Sequence, residues 1–176
     1  MTEKAPYEVI EKDGDLEIRS YPAIIFASVH GHPENDAFRK LFRYITGENV
    51  GADTIDMTVP VVVQARRGSR IPMTVPVVEA GDAMSFIMPS KFNATDVPRP
   101  IDRDVQIETV PPRRLAVLSF RGSARQKDVE TKKEELLDLI GKKGLTTRGV
   151  PFEMYYNGPG VPGFLRHNEV AVEILG

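Results

Sequence analysis

One pattern occurs twice in this chain and constrains its fold more than any other feature. From Glu17, EIRSYPAIIFASVHGHPENDAFRKLFRYITG gives an alternating segment, a proline break, an apolar run ending in a glycine loop, and an amphipathic stretch closed by glycine. From Gln106, QIETVPPRRLAVLSFRGSARQKDVETKKEELLDLIGKKG repeats that order. Alternation at period two marks half-buried strands, and apolar residues at i, i+3, i+4 and i+7 mark one helix face. Strand-like segments follow each copy. The chain is therefore predicted to be duplicated, each half reading strand–strand–helix–strand–strand. Two such halves can lay their strands in one curved antiparallel layer, a distorted barrel, with a helix from each half packed on it. The predicted class is α+β, a single domain over residues 1–176 with pseudo-repeat halves near 7–90 and 104–176. A cleft where the halves meet is a natural place for a ligand.

Local signals fill in this plan. Tyr7 to Glu11 and Leu16 to Tyr21 flank Asp13-Gly14, a two-residue hairpin signal. Ala23 to Val29 is a continuous apolar run, predicted to be a buried strand. In AFRKLFRYITG, Phe38, Leu41, Phe42 and Ile45 form one face, with Asn35 or Asp36 as cap and Gly47 as stop. The hexapeptide MTVPVV occurs at Met57 and again at Met73. It reads as two hairpin arms around a three-residue loop, Arg67-Gly68-Ser69, with Met57, Val59, Val61 and Val63 on one face. Pro60 and Pro76 cannot donate ladder hydrogen bonds and so mark bulges or edges. Two readings of the hexapeptide stand: neighbouring strands that pack on the same core, or a pocket lined by Met57, Met73 and their valines. Met84 to Met88, Val105 to Val110, Leu115 to Phe120, Phe152 to Tyr156 and Val170 to Ile174 are further strands. Residues 93–104 are a loop. The second helix runs roughly from Gln126 to Ile140, its apolar positions Val129, Leu136, Leu137 and Ile140.

Composition narrows the function classes. The 23 basic and 25 acidic side chains give a net charge of −2, which predicts neither nucleic-acid binding nor attraction to anionic membranes. There is no cysteine, hence no disulfide and no thiolate metal site. The charged start MTEKAPYEVIEKDGD has no secretory h-region, and no apolar run is long enough to span a bilayer. These features predict a cytoplasmic protein without membrane insertion; the oligomeric state is not readable.

Several motifs, in order and across nearly the whole chain, resemble the SOUL/heme-binding protein family. They are YEVIEKDGDLEIRSYP near the start, MTVPV after the first helix, FIMPSKF with P-x-P-I-D behind it, and FLRHNEVAVEI at the end. The resemblance implies a duplicated half with a curved antiparallel sheet and two helices, related to bacterial effector-binding domains. It also implies tetrapyrrole binding, with heme as cofactor. Carried over by position, the first helix contributes Arg39, Phe42 and Ile45, and the loop before the last strand contributes Val161 to Phe164. Phe42 stands where the animal heme-binding member has methionine, and Pro162 where that member has lysine.

The residues themselves add less. Arg39 and Arg43, four apart on one helix face, can hold two propionates by charge-assisted hydrogen bonds, or simply face solvent. His30 and His32 are the weak axial candidates, since neutral imidazole ligates heme iron, although loop histidines are more often plain surface residues. His167 beside Arg166 does not suit ligation. No G-x-S-x-G, phosphate loop or zinc-type histidine spacing is present. Three functions therefore stand: reversible, non-catalytic binding of heme or another flat hydrophobic molecule; a heme-free effector-sensing or protein-interaction domain; and an enzyme acting on a hydrophobic substrate.

Overall fold

The computed structural model describes residues 3–64, 83–123, 125–157 and 161–175. In chain order the elements are β1 (Glu3–Lys4), β2 (Glu8–Asp13), β3 (Leu16–Tyr21), β4 (Ile24–His30), α1 (Glu34–Ile45), β5 (Thr58–Gln64), β6 (Ala83–Ile87), β7 (Val105–Val110), β8 (Arg113–Arg121), α2 (Gln126–Lys142), β9 (Thr147–Tyr155), a 3-10 turn (Gly163–Leu165) and β10 (His167–Ile174). The predicted α+β class holds: among the described residues two helices accompany ten strands, and β1 with β5 is a parallel pair while the other described pairs are antiparallel. Among the described strands, β2 and β7 each pair on one side only, so the strands do not close into a barrel.

The chain sorts into two compact units. The first holds residues 3–5 and the described part of Ile24–Val110; the second holds Pro6–Ala23 and the described part of Pro111–Gly176. In the first unit the strand order is β5-β6-β4-β7, with β1 beside β5. In the second it is β2-β3-β8-β10-β9. Apart from β1 and β2, which have no counterparts among the described residues, the two orders match element for element. β4, α1, β5 and β6 correspond to β8, α2, β9 and β10, and β7 corresponds to β3. The opening strands of the sequence repeat are exchanged: β3 pairs with β8 rather than β4, and β7 with β4 rather than β8.

In the second unit, side-chain alternation puts one face of the sheet under α2. Leu16, Leu118 and Val170 form one row across three strands, and Ile18, Ala116 and Val172 the next. Val129, Leu136 and Ile140 of α2 close this core. Leu137 is instead exposed. Full burial of each such aliphatic side chain stabilises by ~1.5–3 kcal/mol.

In the first unit α1 packs on β4, β6 and β7. Its buried residues are Ala37, Leu41, Tyr44 and Ile45, not the predicted stripe. Leu41 and Ile45 point inward as expected, but Phe38 and Phe42 sit on the flank because Ala37 and Tyr44 complete the inner face. Tyr44 goes inward because its hydroxyl reaches the carbonyl of Pro98 at 2.6 Å. Pro33, rather than Asn35 or Asp36, occupies the cap position, so α1 begins at Glu34. Gly47, at φ 128°, follows its end as predicted.

β5 departs from the predicted parity. Thr58, Pro60, Val62 and Val63 are buried, while Met57, Val59 and Val61 are half-buried. The alternation is inverted through Val62 and breaks only between Val62 and Val63, while the register against β6 shifts between Thr58 and Val61, where Pro60 predicted a bulge. The described partner of β5 across this ladder is β6. The second hexapeptide copy, with Met73 and Pro76, and the loop Arg67-Gly68-Ser69 lie outside the described residues.

Candidate functional site

α1 carries three of the predicted ligand contacts on its outer side. At about 100° per residue, the flank runs from the buried stripe through Phe38 and Phe42 to Arg39 and Arg43. Phe38 and Phe42 are 42% and 49% exposed. Their rings stack 6.1 Å apart, and Phe38 also meets Phe86 edge-on at 5.5 Å. An apolar pair half in water, anchored from behind by a fully buried phenylalanine, is a ready platform for a flat ligand. Arg39 makes an exposed ion pair with Asp36 at 3.7 Å. Arg43 lies 3.2 Å from Glu48 and 3.9 Å from Asp102. Exposed pairs of this kind contribute only ~0–1 kcal/mol, so both guanidinium groups can turn to a better anion.

The opposite flank of α1 is tied down. Lys40 Nζ lies 3.3 Å from Asp102 and 3.1 Å from Asp104. The Asp104 amide donates to Asp102 Oδ1 at 2.9 Å, and this bond, with Lys40 behind it, holds the Asp102 carboxyl below its ordinary range. Contacts with Asp104 and Asp102 raise the pKa of the Lys40 ammonium.

The other predicted residues are dispersed. Ile45 is buried beneath α1. Met57 is half-buried just before β5. His30, at the end of β4, has Nε2 2.5 Å from Glu108 of β7, and His32 Nε2 lies 3.5 Å from Asp104. Among the described residues, no group of three or more His, Asp or Glu side chains could hold a metal ion. Val161 and Phe164 belong to the second unit. The Val161 carbonyl accepts from Arg166 Nε at 2.9 Å, and Phe164 is 74% exposed.

Residue-by-residue reading of the sequence did not find the polar centre of the second unit. Glu169 of β10, 1% exposed, lies on the face of the sheet turned away from α2. Arg19 of β3 donates to both its oxygens, at 2.9 and 2.5 Å. Tyr156 donates to Oε1 at 2.5 Å and Ser119 to Oε2 at 3.1 Å, while His167 Nε2 lies 3.2 Å from Oε2. Arg19 also reaches Glu17 at 2.7 Å and the Tyr21 hydroxyl at 3.0 Å, and covers the Tyr7 ring at 4.1 Å. Burial pushes the Glu169 carboxyl up, but the bonds from His167, Arg19 and Tyr156 overcome it and bring the pKa down to about 2. Burial and the Glu169 charge raise Tyr156 far above the usual phenol range, and burial pushes Tyr21 up to about 12. With its oxygens occupied by these donors, this carboxylate is a satisfied structural ion rather than a poised base. In the sequence Glu169 is only one of two glutamates in the strand HNEVAVEI, preceded by two other polar residues, and nothing marks it as buried.

A strand–helix–strand–strand plan used twice, with exchanged opening strands, defines an α+β protein of duplicated design. Comparison with known proteins gives the family. The model described as SOUL heme-binding protein matches residues 2–173, and the chain belongs to that family. It is 32% identical to human Heme-binding protein 2 over 174 residues, covering 95% of this chain and 82% of that protein. It is 34% identical to the mouse Heme-binding protein 2 over 143 residues, covering 77% and 65%. In fold it is similar to the EcmrR C-terminal domain, with TM-score 0.62 and 12% identity over 96% of this chain and 98% of that one. It is also similar to a hydrolase from Listeria innocua, with TM-score 0.61 and 10% identity over 94% of each chain. No helix among the described residues is long and apolar enough to cross a membrane.

Proposed function

We propose that this chain binds heme or another tetrapyrrole reversibly and without catalysing a reaction on it. The observation that carries this reading is the half-exposed Phe38–Phe42 stack bordered by Arg39 and Arg43. The family description and the names of the human and mouse relatives support it. These residues suit the group: a porphyrin brings a broad apolar face and two carboxylates. Phe42, with Phe38 beside it, would take the face, and Arg39 and Arg43 the carboxylates. Burial of the macrocycle at roughly 25 cal/mol per Å² supplies most of the affinity, with the exposed charges adding little. Ile45 supports the platform from behind, and Met57, just before β5 in the same unit, is the further proposed contact. His30 and His32 remain the axial candidates; either would exchange its carboxylate partner for iron. The saturated hydrogen bonding of Glu169 favours the non-catalytic reading. The same proposal treats residues 1–176 as one cytoplasmic domain, with repeat halves near 7–90 and 104–176, whose ligand is a flat hydrophobic molecule rather than nucleic acid.

Hemin titration at micromolar protein tests this directly. A Soret shift is expected, and Phe42→Asp should weaken binding by about tenfold, or ~1.4 kcal/mol. An unshifted spectrum, or a Phe42→Asp variant that binds like the parent, would overturn the proposal.

A further inference from the structure

The second unit contains a groove of its own where β8 turns into α2, about 670 Å³ in volume. That lies within the range typical of small-molecule pockets. Phe120 and Arg121 end the strand side, Lys127 and Lys132 line the helix side, and Phe164 borders the groove from the 3-10 turn. The turn is fastened to the corner. The Gly122 amide donates to the Arg166 carbonyl at 3.0 Å, and Asn168 Nδ2 donates to the Gly122 carbonyl at 2.6 Å. At Gly163 a Cβ would stand 2.2 Å from Ser123 Oγ, so glycine permits this close approach.

Two properties of the groove point to a class of ligand. Phe164 has the highest exposure among the described exposed large apolar side chains, at 74%, yet it sits on a hydrogen-bonded turn. Beside it, Arg121, Arg125 and Lys127 have no acidic partner among the described residues, while Lys132 is held by Glu135 at 3.1 Å. Asp15 and Asp128 also line the groove, but the cations outnumber them. Unpaired guanidinium groups bind carboxylates and sulfonates through charge-assisted hydrogen bonds, and an exposed ring gains by covering another flat apolar surface.

We propose that this groove binds a small organic anion with a flat apolar body, the body against Phe164 and Phe120 and the acid group on Arg121, Arg125 and Lys127. The site lies within the second unit and goes beyond the α1 platform, so the two readings stand or fall separately.

The probe is 8-anilinonaphthalene-1-sulfonate, followed by fluorescence on the full chain, with its uncharged parent N-phenyl-1-naphthylamine for comparison. Micromolar binding is expected, weakening as salt screens the site. The double variant Arg125→Glu/Lys127→Glu should lose about tenfold in affinity, and the uncharged parent should bind weaker by a similar factor. Both substituted side chains are exposed, and an unchanged thermal midpoint will show that the variant is folded. Amide shifts on adding the probe should centre on Gly122, Ser123 and Thr131. Unaltered affinity in the double variant, equal binding of the uncharged parent, or shifts confined to α1 would overturn the proposal. Phe42→Asp tests the α1 platform and the charge reversal tests the groove, so failure of one is distinguishable from failure of the other.

Discussion

Ser28 and Ser119 occupy the same place in the repeated plan, and the two units use that place differently. Each serine lies in the strand before its unit's helix, three residues ahead of a left-handed glycine, Gly31 at φ 75° and Gly122 at φ 120°. Ser28 stands opposite Ser85 of β6, and Ser119 opposite Glu169 of β10. In the first unit the two hydroxyls meet at 2.6 Å, both buried. A hydroxyl both donates and accepts, so this pair can satisfy itself. A carboxylate only accepts. Burying one in the second unit required Arg19, Tyr156 and His167 to gather around it as well as Ser119. The repeated frame accommodates a buried polar pair at this position, but a charge there recruits three more side chains, from β3, from the residue after β9 and from β10 itself.

Removing the guanidinium should break this contrast most severely. Arg19→Ala leaves Glu169 buried without its main counter-charge, and a loss of about 3–5 kcal/mol is expected in urea unfolding. A loss below about 1 kcal/mol would mean that the network is not the anchor of its unit. Acid titration is the next test. The folded pKa of Glu169, about 2, lies below its ordinary 4.5. The carboxylate's contribution is therefore complete above pH 4.5 and is lost as pH falls through the folded value near 2. The whole step is about 3 kcal/mol, and Glu169→Gln should flatten the profile between those limits. The smallest effect belongs to the first unit. Ser85→Ala should cost about 1 kcal/mol by orphaning Ser28, and Ser28→Ala/Ser85→Ala should return close to the parent. A double variant less stable than either single one would show that the hydroxyls serve more than each other.

Local patterning made much of the fold legible. Asp13-Gly14 marked the β2–β3 turn to within one residue: Asp13 still pairs with Leu16, and the two-residue loop is Gly14-Asp15, with Gly14 at φ 62°. The repeat starting at Glu17 and Gln106 anticipated the matching strand–helix–strand–strand order. The exchange of β3 and β7 was not legible, because alternation specifies that a strand forms and not which strand it joins. On α1 the apolar period overcounted the inner face, since an aromatic at the edge of a stripe fits either the core or a ligand. The family resemblance, not the period, singled out Phe42, while Phe38 stayed on the predicted core face. β9 was read too short because Gly149 and Pro151 interrupt its pattern, yet Thr147 and Arg148 still pair with Ile174 and Glu173. The Arg19–Glu169 bond joins residues 150 apart, beyond any window of local sequence.

The exchange of opening strands sets an order of assembly on the ribosome. Ile24–Val110 contains every described strand of the first unit except the short β1, so most of that unit can close before β8 has been made. The β2–β3 hairpin is translated earlier but belongs to the second unit, and its partner β8 arrives roughly a hundred residues later. Until then the free edge of β3 is open to other chains. A permuted chain that places residues 6–23 directly before β8 would shorten that exposure, with the same ladder as its end point.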